Sequence, residues 1–153
     1  MNGHRRTISR SPDPWRIGSW EPARLGLSDS IGITLLLTLV GLMRGFDYLT
    51  PKTTASPALS LVEAAFPLWV WGVMFAAPSV FLAVSALARV HAGVWIGHWL
   101  LVIAYVGLAT GLGAEYVQRP WLDGIRTVGA LFVPLALHGL VAFRTGWRPP
   151  RDT

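Results

Sequence analysis

From Ala64 to Ala114 the chain carries a single charged residue, Arg89. Two apolar runs joined by Arg89-Val90-His91 leave few options for a fold. A helix needs roughly 20 mainly apolar residues to cross about 30 Å of hydrocarbon, and each run is long enough. A soluble bundle of amphipathic helices would instead place charges every few positions on its wet face. Composition agrees: 52% of the residues are hydrophobic, only 14% are charged and mean hydropathy is +0.47. A soluble domain carries about 25% charge, so this chain could not cover a water-facing surface. The same apolar content excludes intrinsic disorder. With no cysteine, disulfides, thiolate metal sites and cysteine nucleophiles are excluded as well.

Two further segments complete the pattern. One runs from Ser30 to Leu49 and is free of charge as far as Met43; the other runs from Gly124 to Phe143. The expected fold is an all-α membrane protein, an antiparallel bundle of four transmembrane helices over about 30–49, 64–88, 92–114 and 124–143. Residues 1–29 form a basic N-terminal arm and 144–153 a basic tail. Arg5, Arg6, Arg10, Arg16 and Arg24 precede the first span, Arg89 separates the second from the third, and Arg144, Arg148 and Arg151 follow the fourth. On the opposite side Arg44, Lys52, Arg119 and Arg126 are matched by Asp47, Glu63, Glu115 and Asp123. The positive-inside rule then makes both termini cytoplasmic, in an inner membrane. The net charge of +5 is thus a topology signal and a means of contacting anionic lipid headgroups, with no nucleic acid implied.

Turn chemistry and aromatic placement fit the same division. Residues 50–57 have loop composition, Ser60 and Glu63 form a capping-box pattern, and the part before Pro67 is expected to lie along the outer surface. Glu115 to Asp123 forms the second outer loop. Trp69, Trp71 and Trp121 fall near the outer ends of their spans, and Trp95, Trp99 and Trp147 near the inner ends, as an interfacial belt requires. Trp15 and Trp20 suit an arm lying on the inner membrane surface, with a disordered tail as the alternative.

The spans hold few polar groups. Arg44 and Asp47 are three residues apart on one helical face and suit a mutually neutralised pair at the outer headgroups, or one edge of a polar seam. His98 and His138 fall at similar depths near the inner ends of spans three and four, where antiparallel neighbours could face each other. A hydrogen-bonded interfacial role is expected; bis-imidazole haem ligation or a proton-linked switch is the sharper alternative. No acidic residue falls near the midplane, which disfavours proton-coupled export, and no phosphate loop, HExxH or nucleophile elbow is present, so neither enzyme nor cofactor is expected. Gly93, Gly97, Gly107 and Gly111 repeat the G-x-x-x-G spacing that lets helices approach closely, within the molecule or between copies of it. Pro78 and Pro134 are expected to kink spans two and four.

In span number, an arginine-rich composition and short basic tails, the whole chain resembles the small four-span holin-like membrane proteins of actinobacteria and their phages. That resemblance implies a non-enzymatic protein that associates through its helices in the inner membrane and opens lesions. The alternatives are a modulator of another envelope process such as phage exclusion, a transporter or channel subunit, and a haem-binding membrane redox protein.

Overall fold

The computed structural model describes residues 13–20, 26–50, 60–118 and 124–146, with the backbone only for Ser60 and residues 124–128. The expected loops at 51–59 and 119–123, most of the N-terminal arm, and the tail beyond Gly146 with Trp147, Arg148 and Arg151 lie outside the described residues. Among the described residues all regular structure is helical: α1 (Leu27–Leu49), α2 (Ser60–Ala65), α3 (Leu68–Leu87), α4 (His91–Gln118) and α5 (Gly124–Thr145). Of these, α1, α3 and α4 are long and apolar enough to cross a membrane. The part of α5 whose side chains are described, Gly129–Thr145, is also apolar.

Two boundaries differ from expectation for local reasons. The run beginning at Ala64 is not one helix, because the chain breaks at Phe66-Pro67 and Pro67 becomes the N-cap of α3 with φ −53° and ψ 145°. Proline lacks the N–H that would continue α2 and pushes the residue before it out of the helical region. At the other end, α4 does not stop at Ala114 but runs on to Gln118, carrying Glu115 out of the expected loop. With 28 residues it is about 42 Å long, well beyond the hydrocarbon thickness. Both Pro78 and Pro134 lie inside continuous helices.

Small residues set the packing. A side chain on Gly41 would meet Ser79, one on Gly45 would meet Ala76, and one on Gly72 would meet Leu49. Residue numbers therefore rise along α1 as they fall along α3. Along α4 the order is similar: Gly93 faces Ser85, Gly97 faces Leu82, Gly107 faces Trp71 and Gly111 faces Val62 of α2. All four glycines singled out by their spacing are thus used inside the molecule. The second ridge, Gly41 and Gly45 on α1, has the same spacing and was not anticipated. Helix α5 packs along α4 and touches α1 only marginally.

The distribution of polarity is inverted relative to a protein that folds in water. Thr34, Ser79, His98 and His138 are fully buried, and Ser30, Thr38, Ser85, His91 and Glu115 are nearly so. Meanwhile Leu36 is 64% exposed, Phe46 73% and Phe143 81%. Large apolar side chains on all four long helices point outward, far more than the isolated patches a soluble monomer shows. This is the surface of a membrane protein.

The described part of the N-terminal arm does not lie free. Trp20, expected on a membrane surface, is 2% exposed, because the arm folds back over the α3–α4 turn. Gly18 N–H donates to Ala88 O at 3.2 Å and Trp20 N–H to Arg89 O at 2.9 Å. Ser19 Oγ donates to Pro14 O and accepts His91 N–H at 3.1 Å, and Ala92 N–H donates to Pro14 O at 3.0 Å. The first amides of α4, which a helix leaves without internal partners, are thereby satisfied from a distant segment. Arg89, with φ +57°, makes the tight reversal.

Candidate functional site

Residues His91, Val94, His98, Leu101, Tyr105, Leu108, Leu112 and Glu115 follow one another at alternating spacings of three and four, and all are buried. This is the seam spacing of packed helices, about 3.5 residues per repeat. Four positions on the seam are polar or amphipathic: His91, His98, Tyr105 and Glu115. Helix α5 presents Leu131, Leu135, His138 and Ala142 at the same spacing, all buried except the partly buried Leu135. Where the two stripes meet, the histidines come together.

His98 Nδ1 and His138 Nδ1 are 2.8 Å apart, and their rings lie 5.0 Å centroid to centroid at 54°. In a neutral pair, one Nδ1–H donates to the bare Nδ1 of the other. The donor ring then has a bare Nε2 and the acceptor ring an Nε2–H, and neither Nε2 has a partner among the described residues. A metal held between the two Nδ1 atoms would need about 2 Å to each, so the direct bond and a shared ion there exclude one another. The bis-imidazole haem reading does not fit this edge of the pair. Among the described residues there is also no group of three or more His, Asp and Glu side chains able to hold a metal.

The pair is embedded in a row of rings that touches every long helix. Tyr105 stacks on His138 at 5.8 Å and 28°, and meets Phe75 of α3 edge-on at 4.9 Å. Phe75 in turn faces Tyr48 of α1 at 6.3 Å. Tyr105, Phe75 and Tyr48 were not anticipated, although Tyr105 is visible in the sequence as the seam position one repeat beyond His98. Tyr105 Oη, Ser79 Oγ and Thr34 Oγ1 are buried with no partner among the described residues. The interior is therefore polar, with hydroxyl and imidazole groups among its buried atoms.

Arg44 and Asp47 sit elsewhere. They line a surface recess with Val40 and Met43, and the Arg44 guanidinium lies 6.0 Å from the centre of the Tyr48 ring. Arg44 thus reaches the α1 end of the ring row through a cation–π contact.

Glu115 is the larger correction. It is 2% exposed, and its Oε2 accepts the Leu61 N–H at the start of α2, 3.2 Å away. Trp71, expected among the interfacial indoles, is likewise buried and donates from Nε1 to Val62 O at 3.1 Å. The two contacts pin α2 onto the N-terminal end of α3 and the C-terminal end of α4. Replacing Glu115 by alanine is expected to release α2 locally, since the lost hydrogen bond contributes about 0.5–1.5 kcal/mol. Amide exchange at Leu61 and Val62 should accelerate while α4 stays protected; unchanged exchange would show that Glu115 does not hold α2.

No family model, no curated protein and no solved structure matches the chain.

Proposed function

We propose that the chain is a four-span integral protein of the inner membrane, with both termini cytoplasmic, that acts without catalysis through lateral association of its helices, in the manner of a holin. The observation that carries this reading is the inverted polarity: an apolar outer shell around a polar interior tied by the His98–His138 bond. The pairings of α1 with α3 and α3 with α4 support an antiparallel arrangement, and α5 buries His138 against α4 in the same way. The glycine ridges are filled from within, so association falls to other surfaces. Leu36, Met43 and Phe46 of α1 and Phe132, Leu137 and Phe143 of α5 are exposed, on two helices that barely meet. These are the surfaces at which a second copy would pack.

Regulated expression in a bacterium, followed by optical density and entry of a membrane-impermeant dye, tests the activity. Growth should stop and dye should enter after induction. Sustained growth with an intact membrane potential at high expression would refute it. Because the chain has no cysteine, single cysteines placed near Ile17 and Gln118 report topology directly through an impermeant thiol reagent. The second reading, a transporter or channel subunit, draws on the unpartnered hydroxyl and imidazole atoms inside the bundle. It predicts solute flux in vesicles without loss of their large contents.

A further inference from the structure

The N-terminal segment over the α3–α4 turn is held from both sides, yet its tip points away from the protein. Asp13 organises the turn: its carboxylate accepts the Trp15 N–H at 2.9 Å and its carbonyl accepts the Arg16 N–H at 3.1 Å. Arg16 O accepts the Ser19 N–H at 3.0 Å, closing the loop. Beneath it, the bonds to Ala88, Arg89, His91 and Ala92 fix the segment to the end of the bundle. The tip then presents Trp15, 48% exposed, Arg16, exposed, and Ile17, 76% exposed. Arg89, half-buried in the turn below, has no described hydrogen-bond partner for its guanidinium Nε.

Two outward apolar side chains flanking a cation make a poor surface for water and a good one for a bilayer interface. Indole rings favour the headgroup level, and a guanidinium pairs with phosphate oxygens bidentately. The tip also continues the apolar exterior of α3, whose last residue, Leu87, is 65% exposed. We infer that residues 13–20 and the α3–α4 turn form a preformed docking site for an anionic phospholipid of the inner leaflet, with Arg16 and Arg89 on the phosphate and Trp15 and Ile17 among the upper acyl carbons. The leaflet rests on the orientation proposed above; the lipid preference does not.

The full-length protein in detergent is titrated with phosphatidylcholine, phosphatidylglycerol or inorganic phosphate while its thermal unfolding and its retained lipid by native mass spectrometry are followed. Phosphatidylglycerol should stabilise and be retained over phosphatidylcholine, and free phosphate should do neither. Each interfacial arginine contributes about five-fold to such a preference. Arg16→Gln, at an exposed tip where folding is not at stake, should therefore lower it by about that factor, and Arg16→Gln with Arg89→Gln by about 25-fold. Trp15→Ser with Ile17→Ser should weaken retention of both lipids. Equal stabilisation by the two lipids, or a preference unchanged by loss of both arginines, overturns the assignment. Failure of the growth and dye experiment bears on lesion formation alone, since this measurement needs no lesion. Thiol labelling of Ile17→Cys from outside would move the site to the outer leaflet and overturn the inner-leaflet part of the inference.

Discussion

Replacing Gly45 by alanine is expected to destabilise the fold by about 2–3 kcal/mol, the upper part of the range for overpacking a tight interior, and leucine there should prevent α1 from docking. A Cβ at this position would stand 2.8 Å from the backbone nitrogen of Ala76 and 3.0 Å from its Cα. Those atoms belong to a helix and cannot turn aside as a side-chain tip can. Gly111 makes the useful contrast. There the obstructing atom is Val62 Cγ2, also at 2.8 Å, but it is the end of a side chain on the six-residue α2. Gly111→Ala should accordingly cost less than Gly45→Ala. Gly113, with no heavy atom within 4 Å, supplies the control, and Gly113→Ala should be neutral or stabilising by up to about 1 kcal/mol through helix propensity. Thermal unfolding in one detergent orders the three variants. A Gly45→Ala protein that unfolds with the parent would show that α1 and α3 do not approach so closely.

The second large effect concerns the histidines and shows itself as non-additivity. His138→Leu leaves His98 buried without its partner, at about 1–3 kcal/mol for the orphaned group. Loss of the stack on Tyr105 adds about 0.5–1.5 kcal/mol. His98→Leu orphans His138 in the same way. The double variant His98→Leu/His138→Leu orphans neither ring, and should be less destabilised than the sum of the two single changes. Hydrogen bonds between membrane helices have measured couplings of about 0.6 kcal/mol on average and up to about 1.7, and a direct bond buried on both sides belongs at the upper end. A double-mutant cycle on unfolding temperature reads the coupling. Strict additivity would mean that the two rings are neighbours without a bond that matters.

Much of this architecture was legible because lipid imposes a coarse code: long uncharged runs and small residues at contacts. That code names which segments are apolar, and it found the long helices and the two histidines. It does not say which face of a helix turns inward, because the outward face is as apolar as the inward one. Hydropathy therefore passed over Tyr105 and Phe75, though the spacing His91, Val94, His98, Leu101, Tyr105 carries the answer for α4. Glu115 was misplaced for the opposite reason. Charge was taken as the end of the helix, whereas this carboxylate is bonded to the amide of a short helix over fifty residues earlier in the chain. The docking of Pro14 and Ser19 on α4 rests on one backbone carbonyl and one serine hydroxyl, a combination with no periodic signature in the sequence.

That docking also sets an order of events during synthesis. Ser19 and His91 are 72 residues apart. At about 5–20 residues per second, the arm leaves the ribosome roughly 4–14 s before its seat exists. Until then its own backbone groups have only water or headgroups to bind, while α1 and α3 can already pair through Gly45. Only after the α3–α4 turn has been made can Ser19 accept the His91 amide, and only after α5 has been made can His91 Nε2 reach Gly146 O at 3.1 Å. A segment made before α4 is thus the clasp that closes over it. Any change that delays or removes the arm should leave inserted but unlatched helices, an intermediate set by the schedule of translation as much as by the energy of the finished fold.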